Sequence, residues 1–281
     1  MPLSERQLAA FTDKHAWQIP VDTSPRHLAG PGDARHVTHG LAAAGWTTVS
    51  DPLGPEIILR SPDHPHRLQF DPQSATSAWW RLRAESTDTE PGWYAEFGGL
   101  VPAEVLAGLT DALVVPEPAE ATSPLSVLEG AGWLIDGRGA ADSDPAGCRV
   151  ERRAERGLGI VPWSEQGRVS WRIEVSDGPD VFPRGGRLWH AFLDGRTPEY
   201  LVTAFVTALV DPSPLQRGMG DRTAQCGVVQ KPSPFTPEQT VDAHISRIKA
   251  LRRQARSARR QQTNPATVPA KTCTAQPAAR R

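Results

Sequence analysis

Three cysteines in 281 residues, Cys148, Cys226 and Cys273, are too few and too irregularly spaced for a disulfide framework or a zinc site, and they suit a reducing compartment. Long apolar runs are equally scarce. The longest, Leu201 to Val210, is too short for a bilayer and is interrupted by Thr203 and Thr207. The start, Met1-Pro-Leu-Ser-Glu-Arg, has neither the basic opening nor the greasy stretch of a secretion leader, so a soluble cytoplasmic protein with no membrane attachment is expected. Catalytic signatures are missing as well. There is no Gly-x-Ser-x-Gly elbow and no Cys/His signature, and Gly30-Pro31-Gly32 and Gly157-Leu158-Gly159 lack the spacing and flanks of a phosphate-cradling loop. No cofactor is implied.

What is present is said nearly twice. Gly45-Trp46 recurs as Gly132-Trp133, and Trp80-Arg81-Leu82 recurs as Trp171-Arg172-Ile173. Trp93/Trp189, Ala95/Ala191, Pro102/Pro198 and Leu113/Leu209 then recur at a constant offset of 96 residues. A tandem repeat buries the apolar face of each unit against its sibling, so the duplication sets the architecture. The repeated landmarks are packing and turn residues, which supply no chemistry.

Net charge is also divided. Residues 213–281 carry 13 Lys/Arg against 3 Asp/Glu, while residues 1–212 carry 18 against 29, so an acidic body near −11 is followed by a basic tail near +10. A basic arm of this kind seeks an anionic partner, and the acidic body is itself a candidate.

Local patterns give the elements. Residues 1–32 read as irregular, because Pro20, Pro25 and Pro31 leave no room for a long helix. Asp33 caps a short helix with Val37, Leu41 and Ala44 on one face, ended by Gly45; its counterpart is Leu125 to Gly132 behind Ser123-Pro124. Short alternating strands follow at 47–50, 56–60 and 67–70, separated by Asp-Pro and Ser-Pro-Asp turns, and then strands in which Trp80, Leu82, Trp93, Ala95 and Phe97 face inward. Trp171, Ile173, Val175, Trp189 and Ala191 keep that phase in the second unit. Each unit closes with a helix, the first behind Pro102, the second with Thr197 as cap and Pro198 at its first position. That second helix is apolar on nearly all sides, as expected of burial from two directions. Beyond a loop, Thr236-Pro237-Glu238-Gln239 reads as a capping box for a basic helix with a thin stripe of Val241, Ile245, Ile248, Leu251, Ala255 and Ala258. Such a helix is expected to be separable from the body, and the composition from Gln262 onward reads as disordered.

The segment Leu28-Ala29-Gly30-Pro31-Gly32 leading to Gly45-Trp46, followed by Ser61-Pro62-Asp63, Trp79-Trp80, Trp93-Tyr94-Ala95-Glu96-Phe97 and Pro102, resembles the SPDY-type domain of actinobacteria, a family of unknown function abundant in streptomycetes and often present as two copies. The resemblance covers about residues 25–212. His64 stands where the eponymous motif has tyrosine, and the second copy has Val150-Glu151-Arg152-Arg153 near that place. The resemblance implies no activity, cofactor or catalytic residue. The expected organisation is an irregular segment 1–24, a first repeat 25–115, a linker 116–124, a degenerate second repeat 125–212, and a basic tail 213–281 with a helix over about 237–261. The fold class is α+β, each repeat being a helix, an antiparallel meander sheet of four or five strands and a closing helix.

Two surfaces are candidates for binding. Strand alternation turns Trp79 outward beside Arg81 and Arg83, on the face that receives Tyr94, a surface that could stack bases or grip a peptide; packing of Trp79 under a loop is the bland alternative. Arg252, Arg253, Arg256, Arg259 and Arg260 on the basic helix are placed to contact nucleic acid without sequence preference or an acidic surface, including the protein's own body. A dimerising coil along Ile245, Ile248 and Leu251, which would make a homodimer, is a further alternative. His36, His39 and His64-Pro65-His66 do not close a metal set, and Glu96 and Asp63 read as solvated rather than as an acid and base. The expected function is a non-catalytic binding or adaptor protein, its body meeting an unidentified protein partner and its basic helix meeting nucleic acid or an acidic surface. The alternative is an enzyme with a cleft between the two repeats.

Overall fold

The computed structural model describes residues 3–63, 65–88, 90–120, 122–143, 147–154, 169–177 and 186–263. His64 and the terminal stretch 264–281 lie outside the described residues. Helix α1 (Glu5–His15) and strand β1 (Pro20–Ser24) come first, then α2 (Arg35–Ala43) and five strands, β2 (Thr47–Thr48), β3 (Ile57–Arg60), β4 (His66–Phe70), β5 (Ala78–Ala84) and β6 (Trp93–Gly98), followed by α3 (Ala103–Ala112). The same order recurs as α4 (Pro124–Gly130), β7 (Leu134–Ile135), β8 (Ala140–Asp142), β9 (Cys148–Ala154), β10 (Val169–Ser176), β11 (Arg187–Leu193) and α5 (Glu199–Val210). Strands β12 (Leu215–Gly218) and β13 (Val229–Pro232) and the long helix α6 (Pro237–Thr263) complete the described chain.

Antiparallel pairing joins β2 to β11 into one ten-stranded sheet in the order β2-β3-β4-β5-β6-β11-β10-β9-β8-β7. The landmark residues fall in like elements and like register. Trp80 pairs with Phe97 and Leu82 with Ala95 on the β5–β6 side, while Trp171 pairs with Leu193 and Ile173 with Ala191 on the β10–β11 side. Successive side chains alternate between faces, so Leu59, Leu68, Leu82 and Ala95, directly opposite one another across β3 to β6, form one inward row. They share a buried cluster with Val37 and Leu41 of α2, Leu106 and Leu109 of α3, Leu128 of α4 and Phe205 of α5, which places these helices on a single face of the sheet. Gly45 and Gly132 end α2 and α4 at φ +94° and +84°, a left-handed turn that glycine makes without a Cβ clash.

The seam between the two halves is packed. Helix α3 lies along α5, where a Cβ on Gly108 would come 2.5 Å from the Ala208 Cβ, and Phe97 meets Phe205 with ring centroids 5.3 Å apart. The apolar circumference of α5 is explained by this: it is enclosed by α3, α4 and the sheet.

Several expectations are corrected. The segment 1–24 is not irregular: Ser4 and Gln7 form a reciprocal capping box that starts α1, and the prolines act only beyond its end. Residues 213–232 are not merely a loop, because β12 and β13 pair antiparallel with the two edges of β1 in a second, three-stranded sheet. Asp33 and Thr197 each stand one residue outside the cap position, which Ala34 and Pro198 occupy, although the Asp33 carboxylate still accepts from the Arg35 backbone N–H at 2.9 Å. Thr236 and Gln239 do form the reciprocal box expected at the start of α6. That helix is not a detached arm. Val241, His244, Ile248, Leu251, Ala255 and Ala258 are buried against the body, His244 stacks on Phe11 at 3.9 Å, and Arg247 grips Asp111 of α3 through two nitrogens at 2.6 and 2.9 Å.

Candidate cationic surface

The face of the large sheet opposite the helices carries a polar set whose rows follow from register. Across β3, β4, β5 and β6 one row reads Arg60, Arg67, Arg83, Tyr94, each residue directly opposite the next. Neighbouring strands stand about 4.8 Å apart, so three guanidinium groups share one ladder, and like charges directly opposite destabilise a sheet. Among the described residues none of the three takes part in an ion pair, and the Arg60 Nε is buried without a partner. Tyr94 closes the row with the Arg83 guanidinium 5.0 Å from its ring centre.

The second half of the sheet is an internal control. Register makes Asp142, Arg149, Glu174 and His190 the counterparts of Arg60, Arg67, Arg83 and Tyr94. There the charges alternate in sign. Arg149 bonds Asp142 at 2.5 Å and Asp136 at 3.2 Å, and along β9 Arg153 meets Glu151 at 2.8 Å. The same scaffold thus neutralises its ladder in one copy and leaves it uniformly positive in the other.

Of the residues singled out in the sequence, Arg83 and Tyr94 stand together on this face and Arg81 stands in the next row, opposite Glu96. The Arg81 guanidinium is occupied by Ser74 Oγ at 3.1 Å and Thr76 Oγ1 at 2.7 Å. Trp79 does not project as a free aromatic. The ladder slips between Ala78 and Trp80, and the Trp79 indole lies on Gly99 and meets Phe70 edge-on at 6.5 Å, half-buried. The Tyr94 hydroxyl donates to Glu96 at 2.6 Å; burial and that bond push its pKa up to about 12, so it stays protonated. His190 reaches the other Glu96 oxygen at 3.6 Å. Arg60 and Arg67 were not singled out from the sequence, because only the pairing register brings them beside Arg83.

On α6, Lys249, Arg253, Arg256 and Arg260 form an exposed stripe opposite the buried one, Arg252 is half-buried, and Arg259 is tied to the Ala44 carbonyl at 2.5 Å. The C-terminal part of the helix stands beside the β3–β4 turn: Ala255, Ala258 and Arg259 line a cavity of about 260 Å³ together with Ser61, Pro62, Asp63 and His66. A larger cavity, about 310 Å³, lies between α1, α2, α3, β12 and α6, lined among others by His15, Asp33, His36, Glu104, Arg217 and His244. Its charges are consumed by one another. Glu104 takes both Arg217 nitrogens at 2.6 and 3.0 Å, which with the nearby His36 hold its carboxyl low against the effect of burial. Asp33 accepts from Lys14, His15 and Arg35, which outweigh burial and hold it far below the usual carboxylate range. Four histidines, 15, 36, 39 and 244, surround Phe11, and His39 Nδ1 lies 3.2 Å from His244 Nε2. Among the described residues no group of three or more His, Cys, Asp or Glu is arranged to hold a metal ion, and no helix is long and apolar enough to cross a membrane.

Two segments of the chain, residues 60–119 and 148–215, match the SPDY family, a domain of unknown function (DUF317). The first contains the whole of the arginine row and the second contains Arg149, Glu174 and His190. No curated protein and no solved structure matches the chain.

Proposed function

We propose that the protein is a non-catalytic binding protein that holds a nucleic-acid strand by its phosphates against the open face of the first repeat, with the outer side of α6 as a second, separate basic surface. The observation that carries this reading is the Arg60–Arg67–Arg83 row, a like-charge arrangement that the second repeat neutralises and the first retains. Arginine presents a planar fork suited to phosphate, and a row of them in adjacent strands suits an anion whose charges are closely and regularly spaced. Tyr94 and Phe192, on the same face, add flat aromatic surface of the kind on which bases stack, which favours nucleic acid over an acidic peptide. In the same reading each half of the large sheet is one five-stranded meander repeat with its two helices, and the protein works in the cytoplasm of an actinobacterium. An enzyme reading is supported less well, because in the cavity between α1, α2, α3, β12 and α6 Glu104 is held by Arg217, and Asp33 by Lys14, His15 and Arg35.

Fluorescence anisotropy with labelled single-stranded and duplex oligonucleotides tests the proposal. Binding should weaken linearly in log–log form with salt, with a slope of about −0.7 per neutralised phosphate on single strands and about −0.9 on B-DNA, and with little sequence preference. No binding at about 50 mM salt removes the proposal. Equal or tighter binding of polyglutamate replaces nucleic acid with an acidic protein.

A further inference from the structure

The arginine row occupies a narrow strip of the open face, and its borders limit what it can hold. Arg60, Arg67 and Arg83 span two strand spacings, about 10 Å, and the row is one arginine deep. Two residues along the strands on one side, about 7 Å away, stand Ile58, Gln69, Arg81 and Glu96. Of these, Arg81 is held by Ser74 and Thr76, and Glu96 takes the Tyr94 hydroxyl. On the other side the exposed Glu85 follows Arg83 at the same spacing. Past Tyr94 the row meets Asp194, whose carboxylate accepts from the Tyr94 backbone N–H at 3.0 Å. Across the seam the acids Asp142, Glu151 and Glu174 each face an arginine of their own half. Two rings stand at this end of the strip. Tyr94 belongs to the row, and Phe192 lies diagonal to it across the β6–β11 seam, about 7–8 Å away; both are half-buried.

We infer that this face takes unpaired nucleic acid and discriminates against duplex. This rests on the function proposed above and adds which form of nucleic acid the face fits. A duplex carries two backbones. Across the minor groove, about 6 Å wide, the second would lie over a neighbouring row and meet Ile58 and Glu96, or Glu85, in place of a free arginine. Its bases are stacked on one another and cannot lie on Tyr94 or Phe192. A single strand has one backbone to match one row, and its bases are free to turn onto the two rings. Charge alone would favour the opposite order, because duplex DNA carries twice the charge per unit length of one strand.

The experiment measures anisotropy with the full chain carrying Arg253→Gln/Arg256→Gln, which quiets the separate surface of α6. The probes, each about 12 nucleotides long, are oligothymidylate, oligouridylate, a DNA duplex, and an abasic strand that keeps its phosphates and lacks bases. The tighter of the two homopolymers should bind at least about tenfold better than the duplex, with a log–log salt slope near about −2 for three phosphates on a single strand. The abasic strand should bind at least about fivefold more weakly at an unchanged slope, because it loses stacking and keeps every phosphate contact. Tyr94→Leu should weaken the homopolymer by a similar factor and leave the duplex unaffected. A duplex bound as tightly as the homopolymer, or an abasic strand bound as tightly, overturns the inference while the proposed function stands. Binding by the natural chain that the double variant abolishes assigns nucleic acid to α6 alone and overturns it as well. Absence of any binding by the natural chain at about 50 mM salt removes the function and the inference together. Circular dichroism and melting of each variant keep misfolding from passing as lost binding.

Discussion

Glu96 and Phe192 face each other across the β6–β11 seam, and they are 96 residues apart, the offset at which the second half of the sequence repeats the first. On either side of them Ala95 pairs with Leu193 and Phe97 with Ala191, which are one another's counterparts. A pairing in which i meets j and the counterpart of j meets the counterpart of i is the register of a two-fold axis, so the Glu96–Phe192 pair marks a pseudo-dyad through the centre of the ten-stranded sheet. One chain has built the interface that an antiparallel homodimer of half-length chains would use. The residues on the axis differ, and Glu96 serves Tyr94 and His190, themselves a symmetry-related pair.

Trp80 and Trp171 hold equivalent places in the cores of the two halves and are 3 % and 5 % exposed. Truncating either to alanine is expected to cost about 3–5 kcal/mol, measured by urea unfolding. Trp79→Ala should cost less but not nothing, since its indole covers Gly99. Equal losses at all three positions would place Trp79 in the core and contradict the bulge that sets it apart.

The sequence was legible where a residue's chemistry demands one position. Buried tryptophans, a glycine forced into a left-handed turn and a proline ahead of a closing helix recur because packing and backbone geometry tolerate few substitutes, and they marked the duplication, the strands of the large sheet and its closing helices. The three-stranded sheet was not legible: β1 and β13 each carry a terminal proline and neither alternates clearly, so their partners lie about 200 residues away with no local signal. Helix α1 carries its capping box, Ser4 and Gln7, in the sequence, but the three prolines downstream mask that signal without interrupting the helix. Docking of α6 is not legible in its thin stripe, because His244 and the Arg247–Asp111 clamp, both polar, supply much of the contact. The arginine row could not be read from spacing alone, since Arg60, Arg67 and Arg83 become neighbours only through pairing register.

Deleting residues 237–263 is expected to lower the melting temperature clearly. Val241, Ile248 and Leu251 are buried, and at about 1.5–3 kcal/mol per aliphatic side chain their burial contributes about 5–9 kcal/mol before the entropy of ordering the helix is set against it. Differential scanning calorimetry of the truncated chain checks this. An unchanged transition would return α6 to the separable arm that its composition suggests.

Acid should loosen the same helix. Burial, with the charges of Arg35 and His36, lowers the His39 pKa to about 4, and burial with His36, His39 and Arg247 lowers that of His244 to about 2, against 6.5 for a free imidazole; Asp33 opposes both. Folded pKa values below the unfolded value mean that the unfolded chain binds more protons under pH 6.5, so this stability is present above about pH 6.5 and falls as pH drops toward about 4. Urea midpoints should decline over that window, whose lower end overlaps carboxylate protonation, including that of Asp111, whose pKa burial raises. His244→Phe, which keeps a ring against Phe11 but cannot titrate, should reduce the decline. A variant that loses as much stability on acidification as the natural chain would clear the α1–α2–α6 junction of the effect.

Arg67 stands between Arg60 and Arg83, so Arg67→Glu replaces two repulsive cross-strand pairs with two attractive ones and gives the first repeat the alternation already present in Asp142, Arg149 and Glu174. At about 0.2–1 kcal/mol per cross-strand pair, the variant should gain about 0.5–2 kcal/mol in stability. At about 2–4 °C per kcal/mol for a chain this size, the melting temperature should rise by a few degrees. Nucleic-acid binding should fall sharply in the same protein, because the middle of the row then repels phosphate. The reverse change, Glu174→Arg, should destabilise by building a partial like-charge row where none is used. Greater stability joined to weaker binding is the signature of residues kept for a ligand at the expense of the fold. If Arg67→Glu instead destabilises, the guanidinium groups are satisfied by the protein itself and the row has no claim to be a binding site.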